Sequence, residues 1–360
     1  MSDASTKTMI DMYMEEATAP MFLAGFFQSP AKNFHNTEKV EIDVLRDDES
    51  VAVVIQDLAA GPRANESTLY VNKGFTPPIY DEKGAITAYE LIKRQPGVNP
   101  FEDPSFGANA ASQSFRIFRK LEAKIRRAVE LMASQVLQTG ELTLKDQNGA
   151  SVYALDFEPK ASHFPVFGTP WAVDGATGNP LSDLETLATT VRRDGKKNPN
   201  KLIFGAGAMQ RFLANAKVQA RLDNRNMSLG QVAPESRGGG ATFMGWVWIG
   251  HYRMEMWMYD GFYKDVQTGA DTPYVADLGV IMLSEGARLD LTYGSIPMFI
   301  APEARALPFL PPRITSSAAG IAMTTNSWLT EDGKSLMVSA GTRPLTIPTA
   351  IDTFGAGMVG

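Results

Sequence analysis

The chain has 360 residues, enough for one large domain or two to three smaller ones around a sizeable core. Hydrophobic residues make up 44% and charged residues 21%, which excludes wholesale disorder, and a net charge of −6 argues against a sequence-specific nucleic-acid reader, which needs a basic face. The absence of cysteine excludes disulfides, thiolate nucleophiles and zinc knuckles, and the three histidines (His35, His163, His251) offer no i, i+4 pair for a helical metal site.

Thirty-one glycines and 22 prolines favour many strands and turns with few long helices. No apolar run reaches the length of a membrane span, and the start lacks the basic region of a signal peptide, so no membrane association and a cytoplasmic site of synthesis are expected. Residues 1–36 begin polar and turn apolar through Met21, Phe22, Leu23, Phe26 and Phe27, with Pro20 and Pro30 preventing one continuous helix. Two readings stay open for this stretch: a short helix packed on its own domain, or an arm whose aromatic residues dock on a neighbouring subunit.

Residues 37–45 alternate, with Val40, Ile42 and Val44 on one face and Lys39, Glu41 and Asp43 on the other, which predicts a half-buried strand. A second strand is expected over 50–58, then a polar loop over 59–68 and renewed extended chain before Pro77-Pro78. The region 37–85 therefore reads as a projecting sheet of two or three strands. A hairpin of that size is marginal alone in water and needs a partner surface.

A proline-braked approach over 97–106 leads into the most regular stretch of the chain. Phe118, Leu121, Ile125, Val129, Met132 and Val136 recur every three or four residues, so one long helix with a single apolar face is predicted, ending at Gly140. Its basic residues, interleaved with Glu122 and Glu130, read as a solvated face. Residues 141–157 form two alternating segments around Asn148-Gly149, a strong hairpin signal. Ser182 as N-cap, with Glu185 three residues on, predicts a capped helix that ends near Gly195. Residues 199–225 read strand, turn, helix; 227–245 a glycine-rich loop; 246–263 an alternating segment in which Trp246, Trp248, His251, Met254 and Trp257 pack in or beside a sheet. Further strands fall in 274–294 and 334–352, the last of them closing the chain.

Chemistry is hard to find. Gly205 and Gly207 imitate a dinucleotide turn at the end of a strand, but Gln210 stands where the fingerprint needs a small residue. No phosphate-binding loop, nucleophile elbow, zincin helix, kinase set or calcium loop is present, and no pair of carboxylates is singled out. The residues point to no catalytic group, no cofactor and no metal.

The order of parts is distinctive: arm, projecting hairpin, isolated long helix, tight hairpin, αβ region, returning strands. With "MFLAGFF" (21–27), "FTPPIY" (75–80), "NPFEDPSF" (99–106), "LMASQVLQTGELTL" (131–144), "NKLIFGAGAMQRFLANAKVQARLD" (200–223), "YVADLGVIMLSEGARLDLTYG" (274–294) and "SWLTEDGKSLMVSAGTRPLTIP" (327–348), it resembles the major capsid proteins of tailed bacteriophages of the phage-lambda type, the major capsid protein E family. Each fragment is weakly specific, and their collinearity carries the resemblance.

The resemblance implies an α+β, Hong Kong 97-type capsid fold. Its parts would be an N-terminal arm (1–36), an extended loop (37–85), a peripheral domain (86–175 with 320–360) containing a spine helix (109–139), and an axial domain (176–319). It implies a structural, non-enzymatic head protein that assembles as pentamers and hexamers into an icosahedral shell around double-stranded DNA, in the virion, after assembly in the host cytoplasm. Separate scaffolding, protease, portal and decoration proteins would be its partners. Phe26, Phe27, Arg63, Glu66, Lys73 and Phe75 are the expected contacts between subunits. Some related capsids weld neighbours through lysine and asparagine; Lys73 and Lys83 lie near the right loop, but the lambda-type proteins are not expected to do so. Two alternatives remain: an encapsulin-like nanocompartment shell on the same fold, and an αβ oxidoreductase using Gly205 and Gly207.

Overall fold

The computed structural model describes residues 21–30, 33–35, 39–45, 70–92, 106–146, 148–171, 178–220, 235–237, 240–296, 298–300, 313–315, 323–330 and 332–360. The strands β1 (Val40–Leu45) and β2 (Tyr70–Phe75) pair antiparallel as a two-stranded ribbon, with Val40 opposite Phe75 at its base and Leu45 opposite Tyr70. The second strand expected over 50–58 lies outside the described residues. After Pro77-Pro78 come β3 (Tyr80–Thr87) and a short helix α1 (Ala88–Ile92).

The long helix α2 runs Phe106–Thr139, 34 residues, or about 50 Å at 1.5 Å per residue. No proline or glycine interrupts Ala108–Thr139. Leu121, Ile125, Val129, Met132 and Val136 are buried as their spacing predicts, each large side chain contributing about 1.5–3 kcal/mol. Gly140 stops the helix at φ 71°, and a Cβ there would meet Pro159 at 2.6 Å. The hairpin β4 (Glu141–Lys145) and β5 (Ser151–Asp156) follows, closed by Asp146, which accepts the backbone N–H groups of Asn148 and Ala150.

A two-residue strand β6 (Val166–Phe167) precedes α3 (Pro180–Gly195). This helix begins three residues earlier than the expected Ser182 cap: Asn179 is the cap residue and Pro180, with its φ preset, opens the first turn. Then come β7 (Pro199–Phe204), α4 (Ala206–Ala214) and α5 (Ala216–Gln219), β8 (Glu235–Arg237), and the hairpin β9 (Ala241–Ile249) and β10 (Tyr252–Tyr259). Next are β11 (Phe262–Lys264), β12 (Asp271–Pro273), β13 (Gly279–Ser284), β14 (Leu289–Tyr293), β15 (Met298–Ile300) and β16 (Arg313–Thr315). The chain finishes with β17 (Thr324–Leu329), β18 (Ser335–Thr342), β19 (Pro344–Pro348) and β20 (Phe354–Val359).

The centre is a mixed seven-stranded sheet in the order β6-β20-β13-β7-β10-β9-β8. One face packs on α3, α4 and α5 through Leu184, Leu187, Phe204, Phe212, Met254 and Met256. The other packs on the C-terminal half of α2 and on residues 21–27 through Ile203, Ile281, Trp257, Met132 and Leu23. Away from this body, β17-β18-β3 forms a three-stranded sheet that lays one face on α2, where Ile86, Leu121, Ile125 and Ala340 are buried.

Three strand pairings cross two of the expected boundaries. β3 joins β18 along its whole length, so residues 80–85 lie in this sheet. β14 pairs with β19, and β20 pairs with β13, so residues 344–359 are woven into the body that the axial boundary at 319 assigned to other segments. The reason is hydrogen bonding: a buried strand has to satisfy its backbone beside whichever segment lies in register.

Candidate assembly surfaces

The first surface is the seam between residues 21–35 and the body. Glu130, 0% exposed on α2, accepts the N–H groups of Leu23 and Ala24 at 2.8 Å each and the hydroxyl of Tyr259 at 2.7 Å. Burial pushes its carboxyl up from the ordinary range, partly offset by the backbone donors of Ala24 and Leu23 and by Tyr259. The phenol of Tyr259 is pushed up in turn by burial and by the Glu130 charge. Phe22 rests against Trp257 and Tyr259, 5.4 and 5.3 Å between ring centroids. Gln28 bridges to β14 in both directions, and Phe34 stacks on Tyr293 at 5.0 Å.

In the described residues the apolar N-terminal stretch packs on its own chain. Phe27 is 5% exposed in the central core, and Phe26 is half-buried against it. Both rings lie against the chain's own core, beside the hydrogen bonds to Glu130 and the shelf of Trp257 and Tyr259. Phe75 is likewise half-buried, its ring 5.7 Å from Phe157. Lys73 lies in the ribbon opposite Ile42. Arg63 and Glu66 lie outside the described residues.

The second surface is the outward face of β17-β18-β3. Alternation puts Tyr80, Glu82, Gly84 and Ile86 toward α2, where Glu82 pairs with Lys124 at 3.2 Å. Asp81, Lys83, Ala85 and Thr87 point away and are exposed. Across the strands, Ala85 lies opposite Met337, and Met337 opposite Trp328, which is 38% exposed. Met337 is half-buried, so an apolar row with Ala85 and Trp328 at its exposed ends lies on the side of the sheet away from α2.

The imitation of a cofactor turn is closed by the chain itself. Gly205 donates to Gly279 O at 2.9 Å, and Gly207 donates to the Asp277 carboxylate at 2.8 Å. A Cβ on Gly205 would meet Ala276 O at 2.2 Å, and one on Gly207 would meet Asp277 Oδ2 at 2.3 Å. Both glycines exist for this close approach, and Asp277 fills the place a pyrophosphate would take at the helix N-terminus.

His163 is buried, its Nδ1 2.8 Å from Phe354 O and its Nε2 3.2 Å from Asp194. Burial works against the Asp194 charge, but hydrogen bonds from His163 and Lys160 outweigh it and hold this carboxyl below its usual range. The cluster ties α3 to β20. His251, expected to pack within a strand, sits exposed in the β9–β10 turn, because Gly250 at φ 58° turns the chain there. Among the described residues no group of three or more His, Cys, Asp or Glu could hold a metal, and no helix is long and apolar enough to cross a membrane.

A layered body braced by one long helix thus carries a two-stranded ribbon and a second, three-stranded sheet. Residues 6–358 match the family described as phage major capsid protein E. Among solved structures, a prophage protein of Escherichia coli CFT073 described as a presumed capsid protein aligns with a TM-score of 0.59 at 18% identity, over 81% of this chain and 80% of that one. A protein of Gordonia phage Cozz aligns with a TM-score of 0.51 at 10% identity, over 97% and 89%. The holo-SrpI encapsulin complex of Synechococcus elongatus PCC 7942 aligns with a TM-score of 0.43 at 10% identity, over 99% and 92%. No curated protein matches the chain. The fold is the Hong Kong 97-type capsid fold, and the chain belongs to the phage major capsid protein E family: it is a structural protein of the virion capsid shell.

Proposed function

We propose that the protein assembles as rings of five and six that close into an icosahedral shell around phage DNA. The outward face of β17-β18-β3 carries this reading. It lies on the side of the sheet away from α2, and Trp328, Met337 and Ala85 form an apolar row across it. Such a surface is stable in water when another molecule covers it. In the shell that molecule is a second copy, and heterologous contacts around a rotation axis generate rings.

Within this reading the ribbon β1–β2 is the extended loop laid over a neighbour, with Lys73, Arg63 and Glu66 among its contact residues, and Phe75 anchoring its base. The helix α2 is the spine that carries load from the three-stranded sheet to the body. The body around the seven-stranded sheet is the axial part, and the three-stranded sheet with α2 is the peripheral part. The chain performs no catalysis. Scaffolding, protease, portal and decoration functions belong to separate proteins, and assembly takes place in the host bacterial cytoplasm. DNA is enclosed without sequence-specific contacts, in keeping with a net charge of −6. Negative-stain electron microscopy of the purified protein, alone and with its scaffolding protein, tests the proposal. Rings and closed particles are expected. A monodisperse monomer under every condition would contradict it.

A further inference from the structure

A line of aromatic rings crosses the face of the seven-stranded sheet that α2 covers. Phe26 meets Phe22 at 5.2 Å between centroids, Phe22 meets Trp257 at 5.4 Å, Trp257 meets Phe243 at 5.1 Å, and Phe243 meets Trp246 at 6.1 Å. The first rings are shielded by residues 21–27 and α2. The line then runs out from under this cover, and Trp246 and Trp248 are 45% and 62% exposed.

Arg253 lies opposite Trp248 on β10, and its guanidinium carbon stands 4.3 Å from the centroid of the Trp246 ring. Its neighbour on that face, Glu255, is neutralised by Lys201 at 3.2 Å and also accepts the Trp257 indole N–H at 3.1 Å. Among the described residues no carboxylate pairs with Arg253. The end of the β9–β10 hairpin is therefore two open indoles and one uncompensated cation.

The complementary chemistry stands elsewhere on the same chain. The hairpin β4–β5 turns Leu142 and Leu155 toward the core and leaves its other face open. On that open face Glu141 lies directly opposite Asp156, and Thr143 opposite Ala154, with Val152 nearby at 70% exposure. Like charges opposite one another across a strand pair repel. Among the described residues neither carboxylate has a cation.

We propose that in the shell the β9–β10 end of one copy, through Trp246, Trp248 and Arg253, docks on the outer β4–β5 face of a neighbouring copy, through Glu141, Val152, Ala154 and Asp156. This rests on the shell reading above. The indoles cover Val152 and Ala154, and the guanidinium fork relieves the two facing carboxylates. A pairing of two β9–β10 ends would leave both Arg253 cations without a carboxylate. The two patches differ, so the contact is heterologous and propagates around an axis.

Charge exchange tests it. Arg253→Glu and the pair Glu141→Arg/Asp156→Arg are expected to keep wild-type thermal unfolding and to lower particle yield at least tenfold in sedimentation and electron microscopy. The variant carrying all three changes is expected to recover at least half the yield. Wild-type assembly by Arg253→Glu, or no recovery in the triple variant, overturns the proposal. The chain has no cysteine, so a second measurement stands apart from any folding defect. Trp248→Cys and Val152→Cys proteins, mixed and assembled under oxidising conditions, should give a disulfide-linked dimer that neither gives alone. Wild-type particles without that cross-link defeat this contact and leave the shell reading intact. Absence of wild-type particles defeats the shell reading itself.

Discussion

The seven-stranded body and the three-stranded sheet share the helix α2, yet they solve burial in different ways. The body has helices on one face and α2 with residues 21–27 on the other, so Phe204, Phe212, Met254 and Ile281 are fully buried within one chain. The three-stranded sheet packs one face on α2, and on the other Ala85 and Trp328 are exposed and Met337 is half-buried. A core closed within the chain and a sheet that leaves Trp328 open thus sit on one helix.

Substitutions separate the two. Phe212→Ala, which empties a fully buried site in the body, is expected to cost about 3–5 kcal/mol in denaturant unfolding of the free subunit. Glu130→Ala strands the N–H groups of Leu23 and Ala24 at the seam, with an expected loss of about 1–3 kcal/mol. It should also raise hydrogen exchange at those two amides above that of the wild type. If both stay protected, Glu130 does not hold the seam.

Acidity sharpens the same point. The Glu130 carboxyl is raised, so its contribution to stability is complete below the unfolded value and is lost as pH rises through the raised one. Glu130→Gln does not titrate, so the advantage of wild type over this variant should shrink from acid toward neutral pH in paired unfolding curves. The smallest effect belongs to the open face: Trp328→Ser and Met337→Ser should shift free-subunit stability by no more than about 0.5 kcal/mol while lowering particle yield.

The long helix, the β4–β5 hairpin and the strand–turn–helix of 199–214 were legible because each lies in a continuous periodic segment with a local stop or turn signal. Glu130 was not. Among basic neighbours it reads as part of a solvated face, and the seam that buries it is made from residues more than 100 positions away. The strand β20 was also hidden, since "FGAGMV" has no alternation. Its glycines answer to partners remote in sequence: a Cβ on Gly355 would meet His163 O at 2.7 Å, and one on Gly357 the Phe167 ring at 2.3 Å. Trp246 and Trp248 alternate as buried residues would, and only the point where α2 ceases to cover the sheet shows them to be open. The missed features all depend on contacts between distant segments.

The central claim is that the outer face of the three-stranded sheet is covered by another copy. Hydroxyl-radical footprinting of the free and assembled protein measures this directly. Trp328 and Met337 should react readily in the free subunit and become protected in the shell, while Trp171 and Met256 stay protected in both. Equal reactivity of Trp328 and Met337 in subunit and shell would contradict the account.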